Sequence, residues 1–82
     1  MTENSFKAGV DLEARPVAVF VQRASKYKSN IMVKIDNKCV NAKSIMGMLS
    51  LAVSEGQEVT ISADGEDEQK AIADLSGYLK NV

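Results

Sequence analysis

Ser44 is the residue best placed to do chemistry. It stands between a polar cluster, Asn41-Ala42-Lys43, and an apolar run that contains Ile45, Met46, Met48, Leu49, Leu51, Ala52 and Val53. A serine directly ahead of such a run signals a helix start, because its hydroxyl can accept one of the backbone N–H groups that the first turn leaves without partners. On a 3.6-residue period Ile45, Met48, Leu49 and Ala52 fall on one stripe, which leaves Met46 and Leu51 to emerge elsewhere. A hydroxyl at a helix start beside exposed apolar side chains would make a docking surface with a modifiable centre. The plainer alternative is an ordinary N-cap serine ahead of core methionines.

The remaining chemistry is narrowed by what the chain lacks. It has 82 residues, enough for one domain with one layer of core, and it contains no histidine. That removes the commonest general base and the commonest metal ligand. A single cysteine without histidine supplies neither a zinc set nor an intrachain disulfide, and suits a reducing compartment. Cys39 reads as a strand filler rather than a redox centre. The acidic run Glu66-Asp67-Glu68 reads as the first turn of a helix, where the macrodipole favours negative charge, rather than as a metal or substrate site. No cofactor is expected. The net charge of −1 offers no basic excess for nucleic acid. No segment approaches the ~18 apolar residues of a membrane span, and the first residues, MTENSF, lack the basic and apolar parts of a signal peptide. The expectation is a cytoplasmic protein that inserts into no membrane.

Periodicity supplies the elements that must position Ser44. Residues 2–8 predict a frayed edge strand with Asn4, Phe6 and Ala8 on one face, followed by a loop over residues 9–13. Pro16 marks a first helical turn, and Val17, Phe20, Val21, Ala24 and Tyr27 then recur at helical spacing, predicting a helix over 14–27. Its other face carries Gln22, Arg23 and Lys26. Ile31, Val33 and Ile35 alternate as a half-buried strand, Asp36-Asn37 turns, and residues 38–41 return with Val40 inward and Cys39 outward. The central helix is predicted over 45–52. Val59, Ile61 and Ala63 alternate with Thr60 and Ser62 in a strand over 58–63, broken by Asp64-Gly65. Asp67 can cap a last helix whose buried stripe is Ala71, Ile72, Leu75, Tyr78 and Leu79. The order β-α-β-β-α-β-α suggests an α+β sandwich, its sheet covered on one face.

Three stretches go beyond a generic α+β pattern: Leu12-Glu13-Ala14-Arg15-Pro16, VNAKSIMGMLSLAVSEG over 40–56, and ADGEDEQKAI over 63–72. Together they resemble the HPr family, the small phosphocarriers of the bacterial sugar phosphotransferase system, over almost the whole chain. The resemblance implies an open-faced sandwich with a four-stranded antiparallel sheet of order 1-4-2-3 and three helices on one face. It also implies a cytoplasmic protein of low-GC Gram-positive bacteria. In phosphocarriers the first motif reads Gly-Leu/Ile-His-Ala-Arg-Pro, and its His relays phosphate from enzyme I to the sugar permeases. Here Asp11 stands for the Gly and Glu13 for the His, whereas Arg15 and Pro16 are kept.

That departure decides which family activity to expect. The relay needs a neutral imidazole nitrogen, and Glu13 would instead bring negative charge against the incoming phosphoryl group. Histidine-type transfer is therefore expected to be lost. The family's second activity needs no histidine. An ATP-dependent HPr kinase/phosphorylase modifies the serine of the SIMG motif, here Ser44, and the phosphoserine form binds a LacI-type catabolite control protein as corepressor. A subgroup, the catabolite repression HPr-like proteins or Crh, lacks the His and retains the Ser. The resemblance assigns Ile45, Met46 and Leu49 to an apolar docking patch, with Arg15 as a positive contact and Arg23 and Lys26 as weaker ones. Lys43 reads as a solvated lysine that could reach the phosphate. The chain is then not an enzyme but a kinase substrate, with the repressor or a metabolic enzyme as partner. The competing readings are a phosphotransfer intermediate that uses Glu13, and an HPr-like domain serving another relay.

Overall fold

Alternating apolar residues in four short segments build a sheet with one wet and one dry face. The computed structural model describes residues 1–9, 11 and 14–81, with the side chains of Ala14, Arg15 and Asn81 outside the described part. The strands are β1 (Thr2–Lys7), β2 (Asn30–Ile35), β3 (Lys38–Asn41) and β4 (Glu58–Asp64), and the helices are α1 (Ala14–Ser25), α2 (Ile45–Leu51) and α3 (Glu68–Asn81). The sheet order is β1-β4-β2-β3, antiparallel throughout. The three helices cover one face, in the open-faced sandwich arrangement.

Register explains which side chains reach the core. Val33 lies opposite both Val40 on β3 and Ile61 on β4, and Val59 lies opposite Phe6 on β1. These pairs share the helix-covered face, where Ile31, Val33, Val59 and Ile61 are buried with Phe20, Met48, Leu75 and Leu79. Pairing on the same face fixes the register, because a slip by one residue would turn the whole apolar set to solvent. The other face carries Ser5, Lys34, Cys39 and Thr60, with Ser5 and Thr60 hydroxyls in contact at 2.8 Å. Among the described residues no helix is long and apolar enough to cross a membrane.

Several boundaries move for local reasons. α1 ends at Ser25 rather than Tyr27, because Lys26 and Tyr27 donate their N–H groups three residues back, to Arg23 and Ala24, and tighten the last turn. β4 runs on to Asp64 because Asn30 still pairs with it. β1 stops at Lys7; Ala8 lies just beyond, buried, with its N–H on the Gln57 carbonyl. α2 ends at Leu51, since Ala52 takes the left-handed conformation (φ 55°, ψ 59°) that closes a helix. The central stripe also differs from expectation. Met48 and Leu51 are the buried pair, whereas Ile45, Leu49 and Ala52 face solvent. With apolar residues on every side of two short turns, periodicity could not choose between the stripes; packing against α1 and β3 does.

Candidate functional site

Ser44 is held by a turn that prepares it from both sides. Ala42, fully buried, donates its N–H to the Ile31 carbonyl and anchors the chain as it leaves β3. The Asn41 side chain accepts the Lys43 N–H at 2.8 Å, and the Asn41 carbonyl accepts the Ser44 N–H at 3.0 Å. These bonds set Ser44 in an extended conformation (φ −106°, ψ 114°), the geometry of an N-cap. Its carbonyl accepts the Met48 N–H at 3.0 Å, and its Oγ accepts the Gly47 N–H at 3.1 Å.

Gly47 belongs to the site through what it lacks. A Cβ at this position would lie 3.3 Å from Ser44 Oγ and 3.3 Å from the Val40 Cβ. Glycine therefore keeps the space beside the hydroxyl open and leaves the Gly47 N–H accessible to it. The sequence signal is Ser-x-x-Gly, where a common capping pattern would have Glu or Gln.

The surroundings of the half-buried hydroxyl are apolar and open. Met46 is 77% exposed, Ile45 47% and Leu49 40%, on a helix of only seven residues. Ile45 and Leu49 are four apart and share a face. The start and outer face of this short helix therefore leave three large apolar side chains in water. Val19 on α1 is a further exposed apolar side chain, at 42%.

The charged residues divide. Arg23 donates to Asp74 Oδ1 at 2.8 Å and lies over the Tyr78 ring, 5.1 Å from its centroid, so its guanidinium is engaged between α1 and α3. Lys26 is exposed in the turn past α1. Glu13 and the side chain of Arg15 lie outside the described residues. Lys43 departs from its expected solvated state. It is half-buried, and its Nζ donates to the Tyr27 carbonyl at 2.7 Å, in the turn just past α1. The Tyr27 hydroxyl in turn donates to Asp74 Oδ2 at 2.6 Å; this bond first, and burial second, push its pKa from 10.0 up to about 12. Asp11 accepts the Glu55 N–H at 2.7 Å and so ties its loop to the one that follows α2.

The start of α3 is used differently. Asp67 occupies the capping position, its carbonyl accepting the Ala71 N–H, but its carboxylate also ties down the α1–β2 connection by accepting from the Lys28 and Ser29 N–H groups and the Ser29 hydroxyl. Among the described residues no group of three or more His, Cys, Asp or Glu could hold a metal ion. The chemistry open to Ser44 is that of a hydroxyl: its Oγ can accept a transferred group at the start of a helix that leaves Ile45, Met46 and Leu49 exposed.

Residues 5–81 match the family described as PTS HPr component phosphorylation site. The HPr-like protein Crh of Bacillus subtilis is 55% identical over 69 residues, covering 84% of this chain and 81% of the relative. The HPr-like protein Crh of Halalkalibacterium halodurans is 45% identical over 74 residues, covering 90% and 88%. Among solved structures, the phosphocarrier protein HPr of Bacillus anthracis superposes with a TM-score of 0.92 at 38% identity, covering 96% of each chain.

Proposed function

Since the chain belongs to the HPr family of the phosphotransferase system, and within it is similar to Crh, we propose that it is a regulatory module switched by phosphorylation of Ser44. The family comprises phosphocarrier and regulatory proteins rather than catalysts. In this reading an ATP-dependent HPr kinase/phosphorylase transfers the γ-phosphoryl group to Ser44 Oγ, and a base on the kinase takes the hydroxyl proton. The product binds a LacI-type catabolite control protein in the cytoplasm.

One observation carries the reading. The half-buried Ser44 holds its hydroxyl on the Gly47 N–H at the start of a helix that leaves Ile45, Met46 and Leu49 exposed. A phosphoserine there carries about −1.5 to −2 charge, stabilised by the adjoining N–H groups with little refolding. A partner can then bury Met46 as an apolar anchor while its own cations meet the phosphate. Arg15 on α1 and Lys26 in the turn past it supply rim contacts, and Arg23 contributes only by leaving Asp74. The chain has no histidine, so the family's phosphohistidine relay lacks its reacting atom here.

The test is binding. Protein carrying phosphoserine at position 44 should bind the repressor, the unmodified protein should bind at least about tenfold more weakly, and Met46→Asp should remove the difference, in line with the 1–3 kcal/mol typical of one site's coupling to another. Equal affinity of the modified and unmodified forms would defeat the proposal.

A further inference from the structure

Lys43 is the nearest cation in sequence to Ser44, and it points away to the turn that follows α1. Its backbone is pinned by the Asn41 side chain, which accepts the Lys43 N–H at 2.8 Å, so only the long side chain is free to swing. The ammonium rests on the Tyr27 carbonyl at 2.7 Å. We propose that Lys43 is a two-position cation, docked on the Tyr27 carbonyl while Ser44 is unmodified and drawn onto the phosphate once Ser44 carries one. The inference rests on the reading of Ser44 as the modified residue.

The competition between the two positions is unequal. The Tyr27 carbonyl is a neutral acceptor in the turn past α1. A phosphoserine places nearly two negative charges on the adjoining residue, about 3.8 Å away between Cα atoms, well within the reach of a four-carbon stem. The ammonium makes a charge-assisted hydrogen bond in either position, but only the phosphate adds the attraction of an opposite charge, so the phosphate wins the ammonium.

The swing has a consequence at a distance. Tyr27 lies in the segment from Lys26 to Ser29, held from the other side by Asp67 through the Lys28 and Ser29 N–H groups. Its hydroxyl is fixed on Asp74, which also holds Arg23. Removing the ammonium takes away a hydrogen bond between this segment and the Ser44 turn, leaving the α3 side intact. The modification is thereby reported at the end of α1, where Lys26 stands exposed. Lys43 also neutralises part of the phosphate charge, which sets how much positive charge a partner must bring.

The test uses full-length protein with phosphoserine installed at position 44 by genetic code expansion, so that it does not depend on any kinase. In carbon-labelled protein the Tyr27 carbonyl resonance should move on phosphorylation to the position it has in unmodified Lys43→Met, and phosphorylating Lys43→Met should move it no further. Should Lys43→Met fail to fold, the wild-type pair decides: the phosphorus nucleus should show cross-relaxation to the Lys43 Hε protons. A Tyr27 carbonyl that stays in place in the wild-type pair, or the absence of that cross-peak, overturns the proposal. Installed phosphoserine that draws Lys43 across in a protein no kinase modifies would support the switch and refute the Ser44 reading instead.

Discussion

The starts of α2 and α3 are both capped by an oxygen-bearing side chain, and the two caps are built to opposite ends. At α3 the acceptors are saturated from inside. Asp67 takes two N–H groups and one hydroxyl from the α1–β2 connection, and Glu68 takes the Gly65 N–H and the Thr2 hydroxyl, with the terminal amine 3.4 Å away. At α2, Ser44 Oγ accepts one N–H from its own helix, and the apolar side chains beside it face water. The first start joins four segments of the chain; at the second the capping side chain bonds only its own helix. Saturated polar atoms mark the first as a structural joint, whereas under the proposed function the second is the surface for contact.

The contrast can be broken or sharpened by substitution. The largest effect is expected at Gly65→Ala, whose new Cβ would meet Ser29 Oγ at 2.6 Å and Ser29 Cα at 2.7 Å. The neighbour is backbone and cannot swing aside, so thermal unfolding should report a loss of about 1–3 kcal/mol. A variant as stable as the wild type would mean that the α3 joint is looser than described.

Acid should loosen the same joint next. Hydrogen bonds to the ionised form, chiefly from the Ser29 hydroxyl to Asp67 and from the Thr2 hydroxyl to Glu68, hold both carboxylates below their ordinary values of 3.8 and 4.5. A carboxylate whose pKa is depressed by folding contributes its full stabilisation above the unfolded value and loses it as pH falls through the folded one. Melting temperature should therefore drop below about pH 4, and Asp67→Asn should flatten that drop. An unchanged acid profile in Asp67→Asn would remove Asp67 from the account.

At α2 the effects on stability should be smaller and the effects on binding larger. Ser44→Ala should cost about 1 kcal/mol, the ordinary worth of a cap, measured by denaturant unfolding. Met46→Gln should change stability by less than about 0.5 kcal/mol, because the side chain already stands in water. It should nonetheless weaken capture of the repressor by the phosphorylated protein. If Met46→Gln destabilised the fold as much as Gly65→Ala, the two helix starts would not differ in the way described.

Most of the fold was legible because its elements carry distinct periods. Val59-Ile61-Ala63 alternates and is buried as read, and Ala71, Ile72, Leu75 and Leu79 repeat at helical spacing and are buried as read. The central helix was not legible in the same way. Apolar residues on all its sides leave the period without a phase: a 3.6-residue repeat sets Ile45 and Leu49 on the Met48 stripe, yet they are exposed while Leu51, off that stripe, is buried. The motif resemblance had already assigned Ile45, Met46 and Leu49 to a docking patch, for a reason that periodicity does not contain. The roles of Lys43 and Asp67 depend on contacts to residues 16 and 38 or 39 positions away, which no local pattern encodes. Gly47 was readable in principle, three residues after the serine, once its N–H is recognised as the hydroxyl's donor.

The central claim is that Ser44, among all the hydroxyls of the chain, is the one presented for modification. Incubation with an HPr kinase/phosphorylase and ATP, followed by mass-spectrometric mapping, should find one phosphate on Ser44 and none in Ser44→Ala. Incorporation at another hydroxyl, or none in the wild-type protein, would contradict it.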